Sequence, residues 1–195
     1  MELHKMMTLT LEKTAVDSLK RADGFLTEAE DDLLAFKWFI VAIHHALHCL
    51  MLAALPVESI WVEKGAVLRD FGGMKLIDNC DPKNHLINFL TAYTRIKDPE
   101  KMGIYVHSKY FIGSNKHDEA MKFLNSELRN IVMHFRPMVF AMSSNYIADC
   151  KPVIDVIDFL ILESGNIIHP PANDPLLKNT TDQIRLKLEE YAGVG

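Results

Sequence analysis

The sequence predicts an all-α fold, an up-and-down bundle of five to six helices. Three observations carry this. Apolar residues recur at helical spacing through the long segments, and almost nothing alternates as a half-buried strand does. The run up to Leu55 is so apolar that several other helices must cover it. The 195 residues are 49% apolar and 24% charged, the proportions of an ordinary globular chain with a sizeable core. Residues 1–195 are therefore read as a single domain.

The elements follow in order. Leu11, Ala15, Val16 and Leu19 predict a first helix over 9–22, broken by Asp23-Gly24. Thr27-Glu28-Ala29-Glu30 has the form of a capping box, in which the Thr hydroxyl caps an early amide and Glu30 reaches back. A second helix is expected from there to Leu55, where Pro56 ends it. At a rise of about 1.5 Å per residue it would be about 43 Å long. The acidic run Glu28 to Asp32 would complement its dipole. Residues 56–80 are the least regular part, with Gly72-Gly73 as a turn; a short strand or helical turn would fit there, and neither is assigned.

Asp81-Pro82 opens a third helix through about Ile96, and Asp98-Pro99 starts a short turn through about His107. Gly113-Ser114-Asn115 is a loop. Ala120, Phe123, Leu124, Leu128, Ile131 and Val132 predict a helix from about Lys116 that Pro137 bends or stops. Another helix spans 146–163, with Val153, Ile154, Ile157, Leu160 and Ile161 on its core side, and Gly165-Asn166 closes it. After the Pro170-Pro171 and Pro175 loop, a last amphipathic helix follows Thr180-Thr181-Asp182.

Composition narrows the function classes. The formal net charge of -5 argues against a broad nucleic-acid footprint, though not against a small basic pocket that reads one phosphate. Three cysteines, Cys49, Cys80 and Cys150, form no CxxC pair, which points away from a disulfide framework or a thiolate zinc site and toward a reducing cytoplasm. Met1 to Thr10 shows no secretion signal. Trp38 to Leu55 carries three histidines and reads as a buried core helix, not a membrane span. No phosphate-cradling Gly loop, nucleophile elbow or dinucleotide fingerprint is present.

One pattern carries catalytic meaning. Arg129-Asn130-Ile131-Val132-Met133-His134 lies inside a strongly helical run and exits through Phe135-Arg136-Pro137. A guanidinium holds a phosphate through two parallel hydrogen bonds, and an imidazole moves protons near neutral pH. Together they are able to cleave RNA without a metal or cofactor. His134 would act on the ribose 2'-hydroxyl, and Arg129 would meet the charge that grows on the phosphate. Asn130 shares a helical face with His134 and would orient the His or a phosphate oxygen. Arg129 lies about 140° from His134 by the helical period, so its side chain must curl to join them. The bland alternative is a surface Arg paired with a carboxylate and an ordinary partly buried His.

The string Leu124-Asn125-x-x-Leu128-Arg129-Asn130-x-x-x-His134-Phe135-x-Pro137 resembles the HEPN superfamily, all-α proteins marked by an Arg, a polar neighbour and a His four to six residues on. Phe36-Lys37-Trp38 and Phe159-Leu160-x-x-Glu163-Ser164-Gly165-Asn166 look like an uncharacterised bacterial branch of it. The resemblance runs from about residue 27 to the end. It implies a metal-independent endoribonuclease linked to toxin–antitoxin or phage-defence systems. Arg129 and His134 would be the catalytic pair with Asn130 assisting, in a homodimer whose motifs face each other. A small antitoxin protein would be its partner. It implies equally a non-catalytic member that binds a partner protein or nucleotide.

His44-His45-Ala46-Leu47-His48 is the other cluster. His44 and His48 are one turn apart, a spacing able to hold a metal, but no third ligand is evident and no Glu-x-x-His pair exists. They are expected to be hydrogen-bonded inside the bundle, with a substrate-binding role in the cleft as the alternative. Lys37 and Arg136 are the further candidates for substrate contact.

Overall fold

The computed structural model describes residues 9–62, 67–70, 73–76, 85–134, 144–167 and 175–193. The chain is predominantly α-helical, as the periodicity predicts. Helix α1 (Leu11–Glu28) and helix α2 (Ala35–Ala54) form an antiparallel hairpin: Ser18 meets His45, and Phe25 lies 6.5 Å from Trp38. Thr10 caps α1 by accepting from the Lys13 amide.

The boundary between these two helices differs from the sequence expectation. α1 runs straight through Asp23-Gly24, because Leu19, Ala22 and Leu26 are all buried against the rest of the core and that packing outweighs the roughly 1 kcal/mol cost of one helical Gly. Thr27 is therefore in the last turn of α1 and starts no capping box; its hydroxyl donates to the Asp23 carbonyl and accepts from Lys187. The acidic run falls at the end of α1 and in the turn before α2. There Asp32 accepts from the Leu34 amide. α2 is thus 20 residues, about 30 Å and not 43 Å. By length and composition it could cross a membrane, but 67% of its apolar stretch is buried inside the protein. Phe39, Ile40, Ile43, Leu47, Leu50 and Met51 are all fully buried at the centre of one contiguous core.

After α2, strands β1 (Val67–Asp70) and β2 (Gly73–Leu76) pair antiparallel, with Val67 opposite Leu76. Asp81-Pro82 lies outside the described residues. The next helix starts later than its proline suggests: His85 to Asn88 is extended and Leu86 bridges to Trp61, so α3 spans Phe89–Ile96 under an Asn88 cap. A single turn, α4 (Pro99–Met102), follows Asp98. Helix α5 (Asn115–Lys122) begins at a Ser114 cap, where the His117 ring accepts from the Ser114 amide at 3.0 Å.

α5 continues as a π-helical segment, Phe123–Leu128, and then as α6 (Arg129–His134). The reason is visible in the burial pattern. Ala120, Leu124, Leu128 and Val132 are all buried at strict four-residue spacing. A regular helix drifts about 40° at each such step, and the wider turn of a π segment absorbs the drift.

The expected helix over 146–163 is divided: α7 (Ser144–Ala148), a turn at Asp149-Cys150, α8 (Lys151–Asp158) and a second π segment, Phe159–Glu163. Helix α9 (Pro175–Gly193) starts earlier than expected. Thr181 lies buried inside it and donates to Asp158, because α9 docks on α8, where Arg185 also bridges Asp155 and Asp158 at 2.6 and 2.8 Å.

Candidate functional site

The run α5–π–α6 lies against α2, and the polar groups of both face the seam. The π turn is closed by the Arg129 amide, which donates to Leu124 five residues back. It sets Asn125 and Arg129 one turn apart on the side that meets α2. The Asn125 carbonyl oxygen accepts from His44 Nε2 at 3.1 Å.

Arg129 is half-buried. Its guanidinium donates to Asn130 Oδ1 at 3.0 Å, and Asn130 Nδ2 donates in turn to the Ser126 carbonyl at 2.9 Å. Asn130 is therefore a strut between the backbone of the π segment and the guanidinium. Arg129 makes no ion pair among the described residues. Three other partly buried cations are neutralised: Lys97 by Asp118 at 2.8 Å, Lys187 by Asp23 at 2.6 Å, and Arg185 by two carboxylates. Asn130 and His134 are exposed on one face of α6, one turn apart. The Arg129 side chain thus curls along its own helix to reach the residue that shares the His134 face.

The three histidines of α2 divide by face. His45 turns toward α1 and hydrogen-bonds Ser18 at 3.1 Å. His44 stacks on Phe89 with ring centres 4.3 Å apart, and His48 Nε2 donates to the Ile87 carbonyl at 3.2 Å. Burial pushes the His44 imidazolium down to about 4, with His48, Arg129 and His45 adding repulsion. Burial also lowers His48, and His45 and Arg129 repel its charged form. Both rings are neutral at pH 7.

The structure therefore brings Arg129, Asn130, His44 and His48 into one neighbourhood, with His134 on the outer face of the same helix. Lys37 is elsewhere, 4.6 Å over the Trp38 ring near the closed end of the α1–α2 hairpin. Arg136 and Pro137 lie outside the described residues. His44 and His48 are 6.3 Å apart by ring centre, and among the described residues no three His, Cys, Asp or Glu side chains converge as a metal would require. Cys49 and Cys150 are free and buried, and burial drives the Cys150 thiol up to about 12; Cys80 lies outside the described residues. A cavity of about 620 Å³ between α5 and the α7–α8 turn is lined by Lys116, Phe123, Glu127 and Asp149 among others, and by none of the motif residues.

Three contributors escaped the sequence reading: Asn125, Ser126 and Phe89. Asn125 stands inside the motif string, but its partner His44 is 81 positions away. Ser126 acts through its carbonyl, for which residue type carries no signal.

No family model, no curated protein and no solved structure matches the chain.

Proposed function

We propose that this chain is a metal-independent endoribonuclease of the HEPN type, its helices forming an up-and-down bundle. It works in the cytoplasm as a homodimer in a toxin–antitoxin or phage-defence setting, held in check by an antitoxin protein. The observation that carries the reading is Arg129. A half-buried guanidinium, oriented by Asn130 and without a carboxylate partner among the described residues, is a receptor for an anion from outside the chain. His134, exposed one turn beyond Asn130, supplies the proton chemistry beside it.

In the reaction the ribose 2'-hydroxyl loses its proton and its oxygen attacks the adjacent phosphorus. The bond from phosphorus to the 5'-oxygen breaks, and that oxygen takes up a proton. The products are a 2',3'-cyclic phosphate and a 5'-hydroxyl. Arg129 stabilises the phosphate charge as it grows, and His134 carries the proton. Two exposed motifs, one from each copy, would together provide a base and an acid.

The test is cleavage of tRNA, mRNA and total RNA by the purified protein in excess EDTA, with His134→Ala and Arg129→Ala alongside. The expected result is cyclic phosphate ends, with activity falling at least ~100-fold in each variant. Cleavage that is equal in wild type and both variants sinks the assignment. RNA or nucleotide binding without any cleavage points instead to the non-catalytic binding module.

A further inference from the structure

We propose that His44 and His48 complete a phosphate receptor with Arg129, one that takes up a proton when a phosphodiester of single-stranded RNA binds. The identity of the anion rests on the ribonuclease reading; the receptor and its proton uptake rest on geometry.

His44 Nε2 donates to Asn125 Oδ1 and His48 Nε2 donates to the Ile87 carbonyl. Those two bonds fix the tautomers. Each neutral ring therefore holds its lone pair on Nδ1, and among the described residues no hydrogen bond reaches either Nδ1. Arg129 follows Asn125 by one turn on the facing helix, and its charge reaches both rings and repels their charged forms. Phe89 fixes the plane of His44 by stacking at 4.3 Å.

A phosphate oxygen beside Arg129 would meet these lone pairs with repulsion. The repulsion becomes attraction once a proton joins an Nδ1, since the imidazolium then donates to the anion. In the free protein that proton is disfavoured. The charged groups acting on the two rings are Arg129 and His45, with His48 acting on His44 as well, all cations or imidazoles. On α3 the neighbours are Phe89 and the Ile87 carbonyl before it, and on the π segment the neutral Asn125. On α1, Ser18 holds His45. An anion placed among them reverses the balance. Phosphate binding and protonation must then be coupled, each tightening the other.

The test uses the full chain and an eight-nucleotide 2'-O-methyl RNA, which binds without being cleaved. Its Kd is measured from pH 5 to 8, and proton uptake is read by calorimetry in two buffers of different ionisation heat. Wild type is expected to bind more tightly as pH falls, by up to ~10-fold per unit, with net proton uptake. His44→Gln and His48→Gln, which keep an N–H donor for Asn125 and Ile87, are expected to flatten the slope. Arg129→Gln is expected to weaken binding at every pH. As a measurement that needs no variant, the Cε1 proton signals of His44 and His48 in wild type should titrate at higher pH with the RNA than without.

A pH-independent Kd, or histidine titrations that the RNA leaves unmoved, overturns the receptor. Proton-linked binding of inorganic phosphate but not of the oligonucleotide overturns the assignment of the anion to RNA. The two readings fail separately: loss of cleavage in His134→Ala with no proton uptake on binding leaves the ribonuclease and removes the receptor. Proton-linked binding with no cleavage by wild type does the reverse.

Discussion

Phe123–Leu128 and Phe159–Glu163 are both π-helical, both continue an eight-residue α-helix, and both hand over at once to polar residues. Behind the second, the polar groups are consumed inside the fold. Ser164 Oγ donates to Leu160, and the buried Asn166 amide donates to Ala54 at 2.9 Å and to Met102 at 2.8 Å. Its oxygen accepts from Ser108 at 2.5 Å. One side chain thus ties the end of α2, the end of α4 and the loop after it. Behind the first segment, among the described residues, Arg129 keeps its charge unpaired, and His44 and His48 keep a lone pair each. The same wide turn serves a staple in one place and leaves binding capacity unspent in the other. Polar groups that close on themselves stabilise; polar groups that stay open are available to something outside the chain.

The largest expected effect tests the staple. Asn166→Ala strands the Ala54 and Met102 carbonyls and the Ser108 hydroxyl, and should destabilise the protein by about 3–4 kcal/mol. The urea midpoint reads this, and an unchanged midpoint would dissolve the contrast between the two segments.

Next comes the open site, through pH. His44 titrates near 4 in the fold and near 6.5 when unfolded, so between those values the unfolded chain binds more protons. The stability that depends on a neutral His44 is therefore complete above about pH 6.5 and fades as pH falls toward 4. The loss is about 3 kcal/mol as an upper bound, because the ring is only part-buried. His48 shifts in the same direction. Unfolding measured from pH 7 to 4 should fall more steeply in wild type than in His44→Gln; parallel curves would show that the ring is not held neutral.

A smaller effect returns to the staple. Gly165 sits at φ +72°, and a Cβ there would lie 2.8 Å from His107 Cδ2. Gly165→Ala should cost about 1–2 kcal/mol, since only Gly reaches this conformation freely and the exposed His107 has room to shift. A thermal melt decides it, and a raised Tm would contradict the strained turn.

The smallest effect is the most discriminating. Arg129→Gln removes a cation that has no carboxylate among the described residues and repels two histidines, so it should change stability by no more than about 0.5 kcal/mol while abolishing RNA cleavage. A large loss of stability would mean that Arg129 belongs to the scaffold, as Asn166 does.

Much of the helical framework was legible in the residues, because burial periodicity is local. Phe39, Ile43, Leu47 and Leu50 announce α2, and Pro56 its end. The errors fall where a distant partner overrules a local signal. Gly24 reads as a break until Leu26 finds the core; Thr27 reads as a cap until Lys187, 160 positions on, takes its hydroxyl. Thr180 and Thr181 read as a helix start until the packing of α9 buries both, with Thr181 on Asp158 of α8. The π segments had no signature of their own beyond the four-residue spacing of Ala120, Leu124, Leu128 and Val132.

The sequence alone determined a predominantly α-helical chain with a long apolar core helix, and it drew attention to Arg129, Asn130, His134 and the α2 histidines. Only the tertiary structure decided that Asn130 steadies the guanidinium, that His45 serves the scaffold while His44 and His48 feel the charge of Arg129, and that Arg129 has no carboxylate among the described residues. The physical reason is range. Helix formation is settled by neighbours within a few residues, whereas the state of a charge depends on every group within several ångströms, whatever its place in the chain.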